Sequence, residues 1–127
     1  MLTVIKNELE SLLQKSAKII YIYFIKKVVD YEVVWGLHND GWATAEDGDG
    51  NILIPFYPKR EFAEHFAKNE WKDCKATAID LYDFMDSWLI GMKKDGVKPS
   101  IFPIDEDTIL TEIDILLKDL NTELENY

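Results

Sequence analysis

VVWGLHNDGWATAEDGDGNILIPFYP, residues 33–58, is where the chain changes period. Residues 33–37 and 42–45 are short β-prone runs, separated by His38-Asn39-Asp40-Gly41, a turn composition with Asp-Gly at its end. The acidic glycine run at 46–51 is a second turn, and residues 52–54 form a third short strand. Connections this short require antiparallel neighbours, because a parallel crossover needs about a dozen residues. The spacing therefore predicts a three-stranded antiparallel meander over residues 33–54. Pro55 and Pro58 end it, and Pro58 suits the first turn of a helix, where its missing N–H costs nothing.

Upstream, residues 1–30 read as two helices. Leu2, Ile5, Leu9, Leu12 and Leu13 recur at three- and four-residue spacing. Ser16 is placed to cap a second helix whose buried stripe is Ala17, Ile20, Tyr21, Phe24 and Val28. The apolar run 19–25 has the composition of a buried strand as well, and length favours the helix; either way the run belongs in the core. Downstream, residues 58–103 alternate helix, strand, helix, strand. Phe62, Ala63, Phe66 and Ala67 give a narrow apolar face, and residues 75–79 a fourth strand. Asp80 then caps a helix carrying Leu81, Phe84, Met85, Trp88, Leu89 and Met92, which Gly96 ends. Residues 100–102 before Pro103 give a fifth strand, and residues 108–125 a last helix, with Thr111 and Asp114 spaced as a capping box. The expectation is a single α+β domain over residues 1–127: a small, mainly antiparallel sheet of four to five strands with helices packed on it.

At 127 residues and 47% hydrophobic composition the chain is long and apolar enough to bury a core. The net charge of -10 argues against nucleic acid, and one cysteine against a disulfide framework. The run 19–25 is too short to span a bilayer, which needs about 20 apolar residues, and is poorly placed for a signal peptide. These features predict a cytosolic protein with no membrane partner. The charge is uneven: +3 over residues 1–29, -6 over 30–58, zero over 59–104 and -7 over 105–127. It serves solubility and attraction between the terminal helices, or an acidic face that captures a basic protein partner.

Chemistry is sparse. Asp47, Asp49 and Asn51 alternate like calcium ligands, but a calcium loop starting at Asp47 needs glycine where Ile52 stands and glutamate where Pro58 stands. His38 and His65 fall in no metal or catalytic pattern, and Cys74 has no evident base, although Lys72 and Lys75 are placed to lower its thiol pKa. Glu61 and His65, four residues apart, read as a surface pair on a helix. No catalytic residue, metal site or cofactor is expected. The remaining feature is aromatic: Trp35, Trp42, Phe56 and Tyr57, with His38 or Asp40 as a polar group, form a candidate ligand or partner surface.

VVWGL at 33–37, DGWA at 40–43, IPFYP at 54–58, REFAEHFA at 60–67, EW at 70–71, DLYDFMDSWL at 80–89, KDGV at 94–97 and IFP at 101–103 together resemble a bacterial family of small single-domain cytosolic proteins. The family's domain has no assigned function. Tyr57 is a departure, standing where the family has Trp in a P-x-W-P turn. The resemblance brings no catalytic residues. By context-level analogy alone it allows toxin immunity, a role that needs only a binding surface. The leading reading is thus a non-enzymatic acidic interaction module of the immunity type. The alternatives are a small-molecule-binding or enzymatic domain around Trp35, Trp42, Phe56 and Tyr57, and a homodimer through the C-terminal helix at 109–124.

Overall fold

The computed structural model describes residues 3–104 and 107–127. Leu2, Asp105, Glu106 and the side chain of Ile5, all used in the sequence reading, lie outside the described residues. The fold is mixed α+β. α1 (Thr3–Leu13) and α2 (Ala17–Tyr31) are separated at Ser16, whose hydroxyl accepts from the Ile19 amide at 3.4 Å. α2 buries Ile20, Phe24, Ile25, Val28 and Val29 but leaves Ala17, Ile19 and Ile22 exposed, so the apolar run at 19–25 is only half in the core.

Strands β1 (Val33–His38) and β3 (Ile52–Phe56) sit where the sequence places them, β2 (Ala45–Glu46) shares only Ala45 with the expected strand at 42–45, and the three do not make a meander over 33–54. β1 pairs antiparallel with β4 (Lys75–Asp80), while β2 and β3 pair in a second sheet of order β2-β3-β5-β6. The two sheets touch at Trp35 and Tyr57, which exchange backbone hydrogen bonds of 2.9 and 2.8 Å. Two local features go with this pairing. Gly36 has no side chain, and the Trp42 indole packs over it; after the turn the chain pairs with β1 only at the His38–Trp42 bridge, where the Ala43 amide donates to the Leu37 carbonyl at 2.8 Å. The register also sets Trp35 against Ala78 and Leu37 against Ala76, large residues facing small ones, which suits a distant strand.

β3 pairs parallel with β5 (Lys98–Ile104), and β5 antiparallel with β6 (Asp107–Leu110). The parallel pair is reached by a long crossover through α3 (Arg60–His65), β4, α4 (Leu81–Asp83) and α5 (Leu89–Asp95). α3 begins one residue past its extended cap, Lys59, so Pro58 precedes the helix. Asp80 caps α4 as its type predicts, its carboxylate accepting from the amides of Tyr82 at 3.0 Å and Asp83 at 3.1 Å. A π-helical turn, Phe84–Trp88, joins α4 to α5, and Gly96 ends α5 in the left-handed conformation.

The last helix is shorter than the expected 108–125. β-branched Thr108 and Ile109 belong to β6, and α6 runs Ile113–Leu124. Its cap is Glu112, with no side-chain capping bond, so Thr111 and Asp114 form no capping box. Leu116 and Leu120 are fully buried, and they join α2, β5 and the α4–α5 segment around one core. Among the described residues no helix is long and apolar enough to cross a membrane.

Candidate functional site

Phe56 and Tyr57 are neighbours at the end of β3, so their side chains leave the strand on opposite sides. The aromatic set drawn from the sequence is therefore divided. On one side Phe56, fully buried, meets Phe84 at 4.8 Å and Trp88 at 6.1 Å. Trp88 meets Trp42 at 4.7 Å, and Trp42 meets His38 at 4.8 Å, all edge-on. The π-helical turn spans both Phe84 and Trp88, the two rings that receive Phe56. Trp88, Trp42 and His38 are half-buried and form the outer end of this series. Trp35 is also half-buried, paired with Ala78 of β4, and Asp40 is exposed in the turn with a left-handed φ of 58°.

On the other side Tyr57 stacks on Phe66 at 5.7 Å and meets Phe102 edge-on at 5.8 Å. Phe102 also stacks on Phe62 at 5.3 Å and reaches Tyr23 at 6.3 Å. The Tyr57 hydroxyl donates to the Pro103 carbonyl at 3.2 Å, and burial holds that phenol protonated, well above the ordinary value. Outside it lies a cleft of about 120 Å³ lined by Tyr57, Phe66, Lys68, Asn69, Glu70, Trp71 and Pro103. That is smaller than the few hundred Å³ of a typical small-molecule site.

α1 is tied to this second aromatic group by a polar contact. Tyr23 donates a hydrogen bond to Glu8, and Lys59 reaches both Glu8 oxygens at 3.0 and 3.1 Å. Partial burial of Glu8 works against ionisation, but the hydrogen bonds from Tyr23 and Lys59 and the lysine charges outweigh it. The carboxyl is thereby held below the usual range. A carboxyl whose folded pKa is depressed stabilises the fold above its unfolded pKa, and the contribution is lost as pH falls through the folded value. Chemical denaturation between pH 3 and 7 will show Glu8→Gln with a flatter loss of stability than wild type below about pH 5. Equal acid slopes would contradict this role.

The remaining chemical candidates close on themselves. Asp47 accepts from the Asp49 and Asn51 amides at 2.9 Å and from the Asn51 side chain at 2.8 Å, which lowers its pKa and spends the carboxylate on the turn. Cys74 departs from the sequence reading: burial first, then Asp73, pushes its thiol up, away from reactivity. Among the described residues no group of three or more His, Cys, Asp or Glu is arranged to hold a metal.

Charge is the property that folding concentrates. The C-terminal Tyr127 hydroxyl donates to Asp30 at 3.2 Å, at the end of α2. Its phenol is pushed up, by burial and by the charges of Asp30 and Glu123. Two residues on, Glu32 caps α2 in the left-handed conformation, and its carbonyl accepts from the Leu81 amide at 3.1 Å. Beside it the Tyr82 phenol is pushed up by its hydrogen bond to Glu32, by burial, and by the charges of Glu32 and Asp80. Asp30 and Glu123 therefore lie by Tyr127, and Glu32 and Asp80 by Tyr82, both tyrosines being exposed. The ion pairs among the described residues are Lys59–Glu8, Arg60–Glu64 and Lys93–Asp114, so none of these four carboxylates is joined to a cation. Sequence reasoning found the two acidic segments; it missed Tyr82 and Tyr127, each of which only the fold sets beside a carboxylate at the end of α2.

Residues 21–124 match the model of a family described as Protein of unknown function (DUF2750). No curated protein matches the chain. A solved structure, Anabaena Tic22 (protein transport), is similar at a TM-score of 0.42 and 18% identity, over 66% of this chain and 47% of that one. The chain thus spans about half the length of that neighbour.

Proposed function

The chain belongs to this DUF2750 family, and we propose that it acts as a non-enzymatic interaction module whose acidic surface takes a basic protein partner. The observation that carries the reading is the contact of Asp30, which opens the first acidic segment, with Tyr127 and Glu123 of the second, and the separate grouping of Tyr82 with Glu32 and Asp80. Exposed tyrosines supply contact area at low entropic cost, and the unpaired carboxylates supply steering and selectivity. An immunity-type protein, which masks its partner by binding alone, is one form of this activity. A cytosolic site of action fits the same reading.

Affinity capture from the source cell at low salt tests it, using wild type beside Asp30→Lys/Glu32→Lys and a control with Glu61→Lys/Glu64→Lys. The expected result is a stoichiometric basic protein held by wild type and the control and lost from the first variant. No stoichiometric partner, or equal capture by all three, would overturn the reading.

The alternative, a small-ligand domain, has one observation in its favour: the cleft walled by Tyr57, Phe66, Trp71 and Pro103. Trp35, Trp42 and Phe56 are not among the residues that line it. A metabolite that raises the melting temperature of wild type but not of Trp71→Ala would favour this alternative.

A further inference from the structure

The groove between α2 and α6 has a volume of about 290 Å³ and is lined by Lys18, Tyr21, Ile22, Ile25, Lys26, Asp119 and Glu123. Its walls carry opposite signs. Both lysines stand on α2 and both carboxylates on α6, and neither lysine is within ion-pair reach of either carboxylate in the same chain. The helices run in the same direction, since Tyr21 donates to Asp119 at 2.6 Å and Asp30 receives Tyr127 farther along. One turn past Asp119, Glu123 comes level with Ile25, so Lys26 and Glu123 differ in height by about 2 Å at 1.5 Å rise per residue. Among the charges Ile22, 41% exposed, lines the groove, and the same two helices carry Ile19 at 48% on α2 and Ile115 at 52% on α6. Isoleucines on a charged helix pair are not needed for solubility, and their burial is the available driving force for contact.

We propose that this groove is the contact surface for a second copy of the chain, related by a two-fold axis running along the groove. Rotation about that axis keeps height and exchanges the walls. It lays α2 of one protomer over α6 of its partner, so the basic wall faces the acidic wall twice over. A two-fold axis across the groove would instead set lysine against lysine. The charges therefore select one of the two isologous arrangements, and Ile22 lies at its centre. This surface shares Glu123 with the acidic surface proposed for the basic partner, whereas Lys26 and Ile22 belong to the groove alone, so Lys26→Glu and Ile22→Asp test the dimer apart from that reading.

Sedimentation equilibrium of the full chain, with Lys26→Glu, Glu123→Lys and Ile22→Asp, decides it. All three positions lie outside the buried core. Circular dichroism of each variant separates loss of association from loss of fold. Wild type is expected to rise with concentration from 14.8 kDa toward twice that mass. Each charge reversal alone is expected to weaken association by about tenfold, since two pairs turn from attraction to repulsion, and Ile22→Asp to abolish it. Mixing Lys26→Glu with Glu123→Lys must restore a dimer of one copy of each, because both cross-pairs again have opposite signs. A wild-type monomer up to about 1 mM, the weak limit of a specific contact, would overturn the proposal. So would a dimer indifferent to all three variants, or a mixture no tighter than its components.

Discussion

Phe102→Ala will destabilise the protein by about 3–5 kcal/mol, the range for deleting a buried aromatic ring, and Phe102→Gly will be no worse. Phe102 is 1% exposed and touches Tyr23, Tyr57, Phe62 and Phe66. Its backbone is left-handed, with a φ of 47°, which is costly for a bulky residue. The strain coincides with a break in the β5–β6 register between Ile101 and Ile104. That bulge turns the ring into the aromatic group and aims the Pro103 carbonyl at the Tyr57 hydroxyl. Alanine loses the ring and keeps the strain. Glycine loses the ring and releases about 1 kcal/mol of it, which offsets the usual disadvantage of glycine in a strand. Urea denaturation of the two variants gives the comparison, and a glycine variant well below the alanine variant would refute a strained Phe102.

Gly36→Ala is the second large effect. A methyl group there would lie 2.8 Å from Cζ3 and 3.0 Å from Cε3 of Trp42, with Cδ1 of Ile79 at 3.5 Å. The indole has little room to retreat, being held edge-on by Trp88 and His38. Overpacking of this kind costs about 1–3 kcal/mol. Trp42→Ala removes the obstacle, so Gly36→Ala in that background should be close to neutral. The coupling across the double-mutant cycle is then most of the single-variant cost. Additive effects would mean that the glycine serves backbone freedom and not the indole.

These two residues also mark where the sequence could be read and where it could not. Asp80, Ser16 and Gly96 announced the helix ends because capping is local chemistry, decided within three or four residues. Strand pairing is not local. β1 looked like the first strand of a meander, and its partner lies beyond α3, where Ala76 and Ala78 fit opposite Leu37 and Trp35. The adjacent pair Phe56-Tyr57 suggested one aromatic surface, while the alternation of a strand sends the two rings to opposite sides. A stronger use of that period-two rule would have divided the set in advance. The uneven charge was legible by counting, but the tyrosines beside it were not, since Tyr82 and Tyr127 are 45 residues apart. The left-handed Phe102, next to a proline, left no signal at all.

The acidic surface at Asp30, Glu32, Asp80 and Glu123 is the central claim, and amide chemical-shift mapping of the labelled chain against the captured partner tests it directly. Saturable shifts at residues 30–32, 80–83 and 123–127, weakened by salt, are the predicted result. Shifts confined to His38, Trp42 and Trp88, or to the Tyr57 and Trp71 cleft, would contradict it.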